Sequence, residues 1–600
     1  MEQWKNWWKR DKRWLVLMKS LLLALLPPVC CLVYCAGQGR GLAEVYLPVS
    51  EWNDELFYYK QVEGMVAYGY PQGYFGFNES HALKLSFAAW SPVLVFPWVI
   101  WGLLFGWNMM SPIFCNIVLM SLCCFLFVWL VRPTWKQLGI LTVLFCLYTP
   151  FVRYMLSVMP EVICFSMLII FYSLAINYLR RGTGWKLALL FLLSGVMTLM
   201  RPYMLLFLLL PAWFWIRESK WKGAAGSLAV LTAVLGLYAY IKKNFGAEYF
   251  APLFFTDWVT AFFEQGFFGG IRYTFGKLYY MGKDFGRHTI QGIRTGLASG
   301  AFFGGFLVCM AVLTGQSLRD YLALRKQGHA LREQGQREQG QVSQESSRVM
   351  GEQGQVSQEP SRVMGEQVQV SQEPSQASGE QGSVLRKQEG WAQRLREEKR
   401  AENGKEFLVI EAHLAFSFVA MFFALLLMYK LTEGSKHLLT FMAAALFVIS
   451  LMETKFYKKA TLIGIVFAYF YSYMAVDAYD YQVPFAAEER YECVEQWRET
   501  LSEDLMVNRE NAPSYENVVI WLLYDTVEGE HVNTQWQLLY ALPEGFGISC
   551  CMPEYVEEHF ESLRGKYLCM PAGGAAEGRC VQAGYRKVVG NEETVLYQIY

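Results

Sequence analysis

Long apolar runs separated by short basic stretches dominate the first 315 residues. A helix that spans a bilayer needs about 20 predominantly apolar residues. Residues 14–36, 111–131, 224–242, 294–314, 407–429, 437–453 and 460–478 each supply one such run. Two longer runs, 137–179 and 186–216, hold two crossings each. Arg153 and Glu161 interrupt the first, and Arg201-Pro202 marks the tip of a hairpin in the second. Short cytoplasmic loops are enriched in Lys and Arg. Lys5, Lys9, Arg10, Lys12 and Arg13 therefore put the N-terminus inside. Arg132 and Lys136, Arg180 and Arg181, Arg217, Lys220 and Lys222, and Lys455, Lys458 and Lys459 mark later inner turns. Residues 88–107 look long enough to cross, but a crossing there would invert every later basic loop. Pro92, Pro97, Trp98, Trp101 and Trp107 suit an interfacial or re-entrant segment instead. The pattern predicts an α-helical polytopic protein of the cell membrane with about 11 spans, N-terminus cytoplasmic and C-terminus outside.

Three polar regions punctuate these spans. Residues 37–110 form a long first external segment rich in Tyr, Trp and Gly, and long ordered loops are usually functional. Residues 316–405 are a cytoplasmic insert with a 14-residue repeat: GQVSQESSRVMGEQ from Gly340, GQVSQEPSRVMGEQ from Gly354 and VQVSQEPSQASGEQ from Val368. Segments this poor in aromatic and aliphatic residues cannot bury enough surface to fold, so disorder is expected. Residues 479–600 alternate a charged helix-like stretch (488–503) with β-rich runs at 517–524, 537–542 and 594–600. They read as a small extracytoplasmic α/β domain. The expected organisation is a transmembrane module over 1–315, the insert, C-terminal spans within 406–478, and that domain.

Composition adds limits. Only 18% of the 600 residues are charged, against about 25% in an ordinary soluble domain. The 53 Lys+Arg balance 53 Asp+Glu, so nothing supports a nucleic-acid partner. The mean hydropathy of +0.19 is the average of apolar spans and large polar parts. Nine of the 14 cysteines lie in apolar runs and read as small buried hydrophobes. Cys493, Cys550, Cys551, Cys569 and Cys580 lie near the C-terminus, with no spacing that signals zinc.

Several ionisable groups fall on the outer face of this topology. Asp54 and Glu55 lie about 18 residues past the first span, within Glu51-Trp-Asn-Asp-Glu-Leu-Phe-Tyr-Tyr59. Either they form a solvated acidic turn or they supply a general base at the membrane surface. Glu161 follows Pro160 at the outer end of a span, Arg201 sits at a hairpin tip, and Lys436 and His437 stand at the outer end of another span. Ionisable groups at membrane depth are costly, so their convergence on one face suggests a site. The outer stretch 243–293 departs from the positive-inside trend with Arg272, Lys277, Lys283, Arg287 and His288. It is either a solvated loop or a basic lining for an anionic headgroup.

In order and spacing, these motifs resemble the C-type (GT-C) membrane glycosyltransferases, in particular the branch of protein O-mannosyltransferases and bacterial aminoarabinose transferases. The resemblance is carried by Asp54-Glu55-Leu-Phe-Tyr58, by the segment from Ser91-Pro92 to Phe105-Gly106, by Glu161, and by Gly195-Val-Met-Thr198-Leu-Met-Arg201-Pro202. It covers about residues 1–315 well and 407–478 in outline. Ala88, Ala89 and Trp90 stand where the aminoarabinose branch has an acid, and the insert has no counterpart.

The resemblance implies an inverting transfer of a sugar from a polyprenyl-phosphate donor to an acceptor hydroxyl of a glycan, lipid or protein. Asp54 would be the base, with Glu55 or Glu161 orienting substrate. Arg201, Arg272, Lys277, Arg287, Lys436 or His437 would stabilise the departing phosphate. A divalent cation would be optional, and no dedicated ligand set stands out. The rival classes are a multispan lipid or glycan transporter or flippase, and a non-catalytic membrane scaffold.

Overall fold

A computed structural model describes, in the main, residues 2–45, 53–69, 75–77, 90–147, 150–180, 182–245, 255–295, 304–316, 408–428, 431–451, 518–523, 525–527, 530–532, 547–562 and 567–599. The repeats, the expected span at 460–478 apart from one residue, the charged stretch 488–503 apart from residues 496, 497 and 499, and the run 537–542 lie outside the described residues. The chain divides into two compact units, one of residues 1–307, 416–453 and 463–600, the other of 308–415 and 454–462.

Helices dominate the described part: α1 Glu2–Ala24, α2 Leu26–Gly37, α3 Asn53–Tyr68, α4 Phe96–Phe105, α5 Ser111–Val131, α6 Trp135–Leu147, α7 Pro150–Met155, α8 Glu161–Arg180, α9 Gly184–Met200, α10 Leu209–Phe245, α11 Asp257–Glu264 and α12 Gly266–Thr295. Helix α13 covers 304–316, α14 is Leu408–Met428 and α15 is Leu431–Ile449. Among the described residues, five helical segments are long and apolar enough to cross a membrane: Arg13–Gly37, Ser111–Val131, Glu161–Arg180, Pro202–Phe245 and Leu408–Met428. The chain is a membrane protein of largely helical build. Pro92–Phe105 makes only a short apolar helix, as its prolines suggest, and ends at Gly106.

The breaks follow from local chemistry. Pro160 precedes α8, and Pro202 follows α9, where a ring in place of the N–H cannot continue a helix. Helix α10 contains a non-helical residue, Lys220 (φ 48°, ψ −120°). A Cβ on Gly226 would lie 2.1 Å from the Trp215 ring. Eleven residues of straight helix would separate those positions by roughly 16 Å. The chain therefore folds back at Lys220, where the basic stretch 217–222 predicts an inner turn.

Helix α8 is the centre of the bundle, packing on α5, α9 and α15. Phe127, Phe145, Phe151 and Phe165 all meet Phe447 of α15, with ring centroids 5.3 to 6.4 Å from it. One polar residue ties three elements there. Asn116 of α5 accepts from Trp98 Nε1 of α4 at 2.8 Å and donates to the Ser157 carbonyl between α7 and α8 at 2.9 Å. Such bonds between membrane helices contribute about 0.6 kcal/mol on average.

The C-terminal region forms a six-stranded sheet of order β1-β5-β2-β6-β8-β7. Its strands are β1 Phe75–Phe77, β2 Val518–Leu523, β5 Gly547–Cys551, β6 Tyr567–Pro571, β7 Arg586–Gly590 and β8 Thr594–Gln598. Strands β3 (Asp525–Val527) and β4 (Glu530–Val532) form a separate ladder. Helices α16 (Pro553–His559) and α17 (Ala575–Gln582) cover a core that includes Cys551, Leu568, Met570, Cys580 and Val595. Cys551, Cys569 and Cys580 are buried, and burial pushes the Cys580 thiol up to about 12. The edge strand β1 comes from the first external segment and runs parallel to β5, with Phe75 opposite Ile548 and Phe77 opposite Cys550.

Candidate active site

The break after α9 sets the site. Arg201 leaves the helix in an extended conformation (φ −142°, ψ 118°) while its N–H still bonds the Met197 carbonyl at 3.0 Å. Its side chain is 1% exposed. Arg201 Nη2 donates to Glu161 Oε1, the first residue of α8, at 3.1 Å, and that side chain is equally buried. Arg201 Nη1 meets His437 Nδ1 at 2.6 Å and the Tyr203 hydroxyl at 3.3 Å. A guanidinium only donates, so Nδ1 accepts and a neutral His437 holds its proton on Nε2.

Aromatic rings close the cluster. The Arg201 guanidinium carbon lies 5.2 Å from the centre of the Trp90 ring, within cation–π range. Trp90 meets His437 and Tyr203 edge-on at 5.2 and 5.9 Å. Four elements thus converge: the segment before α4, α8, the α9 break and α15. Glu161 Oε2 and Arg201 Nε are buried and have no hydrogen-bond partner among the described residues. Glu161 also lines a small pocket with Phe151, Tyr154, Val162, Phe165 and Thr440, whose cavity volume is about 10 Å³. That is room for roughly one water, so a sugar can enter only if these side chains move.

A second buried pair anchors the acidic motif. Glu55 Oε1 lies 3.3 Å from Arg153 Nη2 of α7, and both side chains are at most 3% exposed. One turn further along α3, Lys60 Nζ bonds Glu63 at 2.9 Å, also buried. Glu55 is therefore an anchor between α3 and α7. Asp54 lies in the first turn of α3; its side chain is outside the described residues.

The sequence-selected residues fall into separate places. Glu161, Arg201 and His437 come together directly. Lys436 is on α15 with its side chain outside the described residues. Arg272, Lys277 and Arg287 lie on α12, which packs along α11 and meets α14 where the Phe285 ring stands edge-on to Phe422 at 5.6 Å. There Lys277 bonds Asp257, while Arg272 and Arg287 are exposed. Nothing in the sequence pattern assigns Trp90, Tyr203 or Arg153 to the site, although Tyr203 is only two positions beyond Arg201. Among the described residues, no three His, Cys, Asp or Glu side chains gather as a metal would require.

No family model matches the sequence, and neither does any curated protein. Among solved structures, ArnT from Cupriavidus metallidurans in the apo state matches at 10% identity over 98% of both chains, with a TM-score of 0.38. The same protein bound to undecaprenyl phosphate matches at 10% identity over 96% of this chain and 97% of that one, with a TM-score of 0.37. Likeness at this level decides neither fold nor activity, which rest on the residues themselves.

Proposed function

We propose that this chain is an inverting glycosyltransferase that moves a sugar from a polyprenyl-phosphate donor to an acceptor hydroxyl at the outer face of the membrane. The observation that carries the reading is the buried Glu161–Arg201–His437 cluster. Its carboxylate keeps one oxygen, Oε2, free of hydrogen bonds among the described residues and lines a pocket. A buried acceptor atom is expensive to leave unmatched, so a hydroxyl donor from a sugar is a natural partner for it. Arg201, backed by His437, supplies the positive charge for a phosphate.

In this scheme Asp54 takes the proton of the acceptor hydroxyl. The oxygen forms its bond to the anomeric carbon on the face opposite the phosphate. The carbon–oxygen bond to phosphate breaks, and its electron pair leaves on the polyprenyl phosphate, so the configuration inverts. Glu161 holds sugar hydroxyls through Oε2. As phosphate charge develops, Arg201 exchanges part of its bond with Glu161 for a bond to the leaving group. Glu55, locked to Arg153, keeps α3 and hence Asp54 in place.

The test is transfer of labelled sugar from a polyprenyl-phosphate donor by the protein in a defined bilayer. General-base help is worth roughly 100- to 10,000-fold, so Asp54→Asn should lose activity by that factor and remain folded. Wild-type activity in that variant would remove Asp54 from the mechanism. Movement of the intact donor across the bilayer, with no bond cleaved, would favour a flippase.

A further inference from the structure

Helices α11 and α12 form a hairpin beyond the last residue of α10. Gly266 turns the chain between them at φ +73°, a value that disfavours any side chain. At Gly270 the two helices touch closely, since a Cβ there would lie 2.4 Å from the Phe262 ring. Asp257 on α11 clips the pair by bonding Lys277 and by accepting from the Tyr273 hydroxyl at 2.7 Å. With one face so occupied, the other is open. Phe268, Phe275 and Tyr279, spaced by seven and four residues, share it at 83%, 69% and 65% exposure. Phe263 and Phe267 extend this aromatic surface at the hairpin turn, also exposed. Arg272, Lys283 and Arg287, spaced by eleven and four, run as a second exposed row along its edge.

Helix α12 is a poor span. Arg272, Lys277, Lys283, Asp284 and Arg287 interrupt it too often for about 20 apolar residues in a row. An exposed row of rings beside a row of cations is the pattern of a helix lying in the membrane interface, rings at headgroup depth and cations at the phosphates. Charge favours an anionic surface. Asp284 falls some 160° around the helix from Phe268, and Asp257 is engaged by Lys277 and Tyr273.

We propose that the open face of α12 docks on a leaflet of anionic phospholipid, with Phe268, Phe275 and Tyr279 inserted and Arg272, Lys283 and Arg287 binding lipid phosphates. The docking is independent of the transferase reading and stands if that reading fails.

The experiment uses the full-length protein in nanodiscs of phosphatidylcholine with and without phosphatidylglycerol. Amide exchange over residues 266–287 should slow when phosphatidylglycerol is present. The triple variant R272Q/K283Q/R287Q should lose that difference, each charge contributing about fivefold to the preference. A photoreactive p-benzoylphenylalanine replacing Phe275 should capture phospholipid, and one replacing Asp284 on the opposite side should capture far less. Three results would overturn the proposal. They are equal exchange in both bilayers, capture of a protein chain at 275, or slowing that needs only trace polyprenyl phosphate in a zwitterionic disc. The last would assign the face to the donor.

Discussion

The Arg201 cluster and the α12 face use the same side chains under opposite conditions. Each sets guanidinium groups beside aromatic rings. In the first, Trp90 and Tyr203 enclose a cation that is 1% exposed and bonded to a carboxylate. In the second, Phe275 and Tyr279 stand open at 69% and 65% exposure with Arg272 and Arg287 also exposed. Burial changes what the charges do. An enclosed pair has lost its water and depends on its partner, whereas an open cation keeps its solvation and can exchange partners. The enclosed cluster suits a fixed geometry for chemistry, and the open face suits reversible contact with many similar ligands.

Breaking one enclosed pair should have the largest effect. Arg201→Ala leaves the Glu161 carboxylate buried with neither oxygen matched by a hydrogen bond from the guanidinium. Loss of one partner in a buried pair costs about 3–5 kcal/mol. Thermal denaturation in detergent should show a marked drop for this variant and almost none for Arg272→Gln. Equal drops would mean that the cluster is solvated and the contrast false.

Glu55→Ala comes next. The Glu55–Arg153 contact is longer, 3.3 Å, yet both side chains are at most 3% exposed, so a loss of about 3 kcal/mol is expected. The effect should persist in concentrated salt, because buried pairs are screened much less than exposed ones. A double-mutant cycle with Arg153→Ala measures the coupling, and additivity would show that the two residues act separately.

Some of this was legible in the sequence and some was not. The break at Arg201-Pro202 was readable because proline and a lone charge in an apolar run have local consequences. So was the fold-back near Lys220, announced by Arg217 and Lys222. The partners were not readable. His437 lies 236 positions from Arg201, and Arg153 lies 98 from Glu55, so only packing reveals the pairs. Trp90 stood out only as the absence of an acid. The charges Arg272, Lys277 and Arg287 stand out in the sequence, and Phe268, Phe275 and Tyr279 carry the period of the amphipathic helix that sorts them onto different sides. Strand β1 is three residues in a Gly- and Tyr-rich segment, and its partner β5 is more than 450 positions away, beyond any local signal.

Asp257 offers the gentlest test, since it is the exposed counterpart of Glu161. Slight burial pushes its carboxyl upward, but hydrogen bonds from Lys277 and Tyr273 and the lysine's charge outweigh that, and it sits below the usual carboxylate range. With the pKa depressed in the fold, the clip contributes fully above the ordinary carboxylate value. That contribution is lost as pH falls through the lower folded value. The side chain is 42% exposed, so Asp257→Asn should change stability by no more than about 1 kcal/mol, and less in high salt. Comparing amide exchange over 255–280 in wild type and Asp257→Asn at a series of pH values checks the sign. The two should differ at neutral pH and converge as the wild-type carboxyl gains its proton. A difference that grows on acidification would mean that the clip is held by something other than the Asp257 charge.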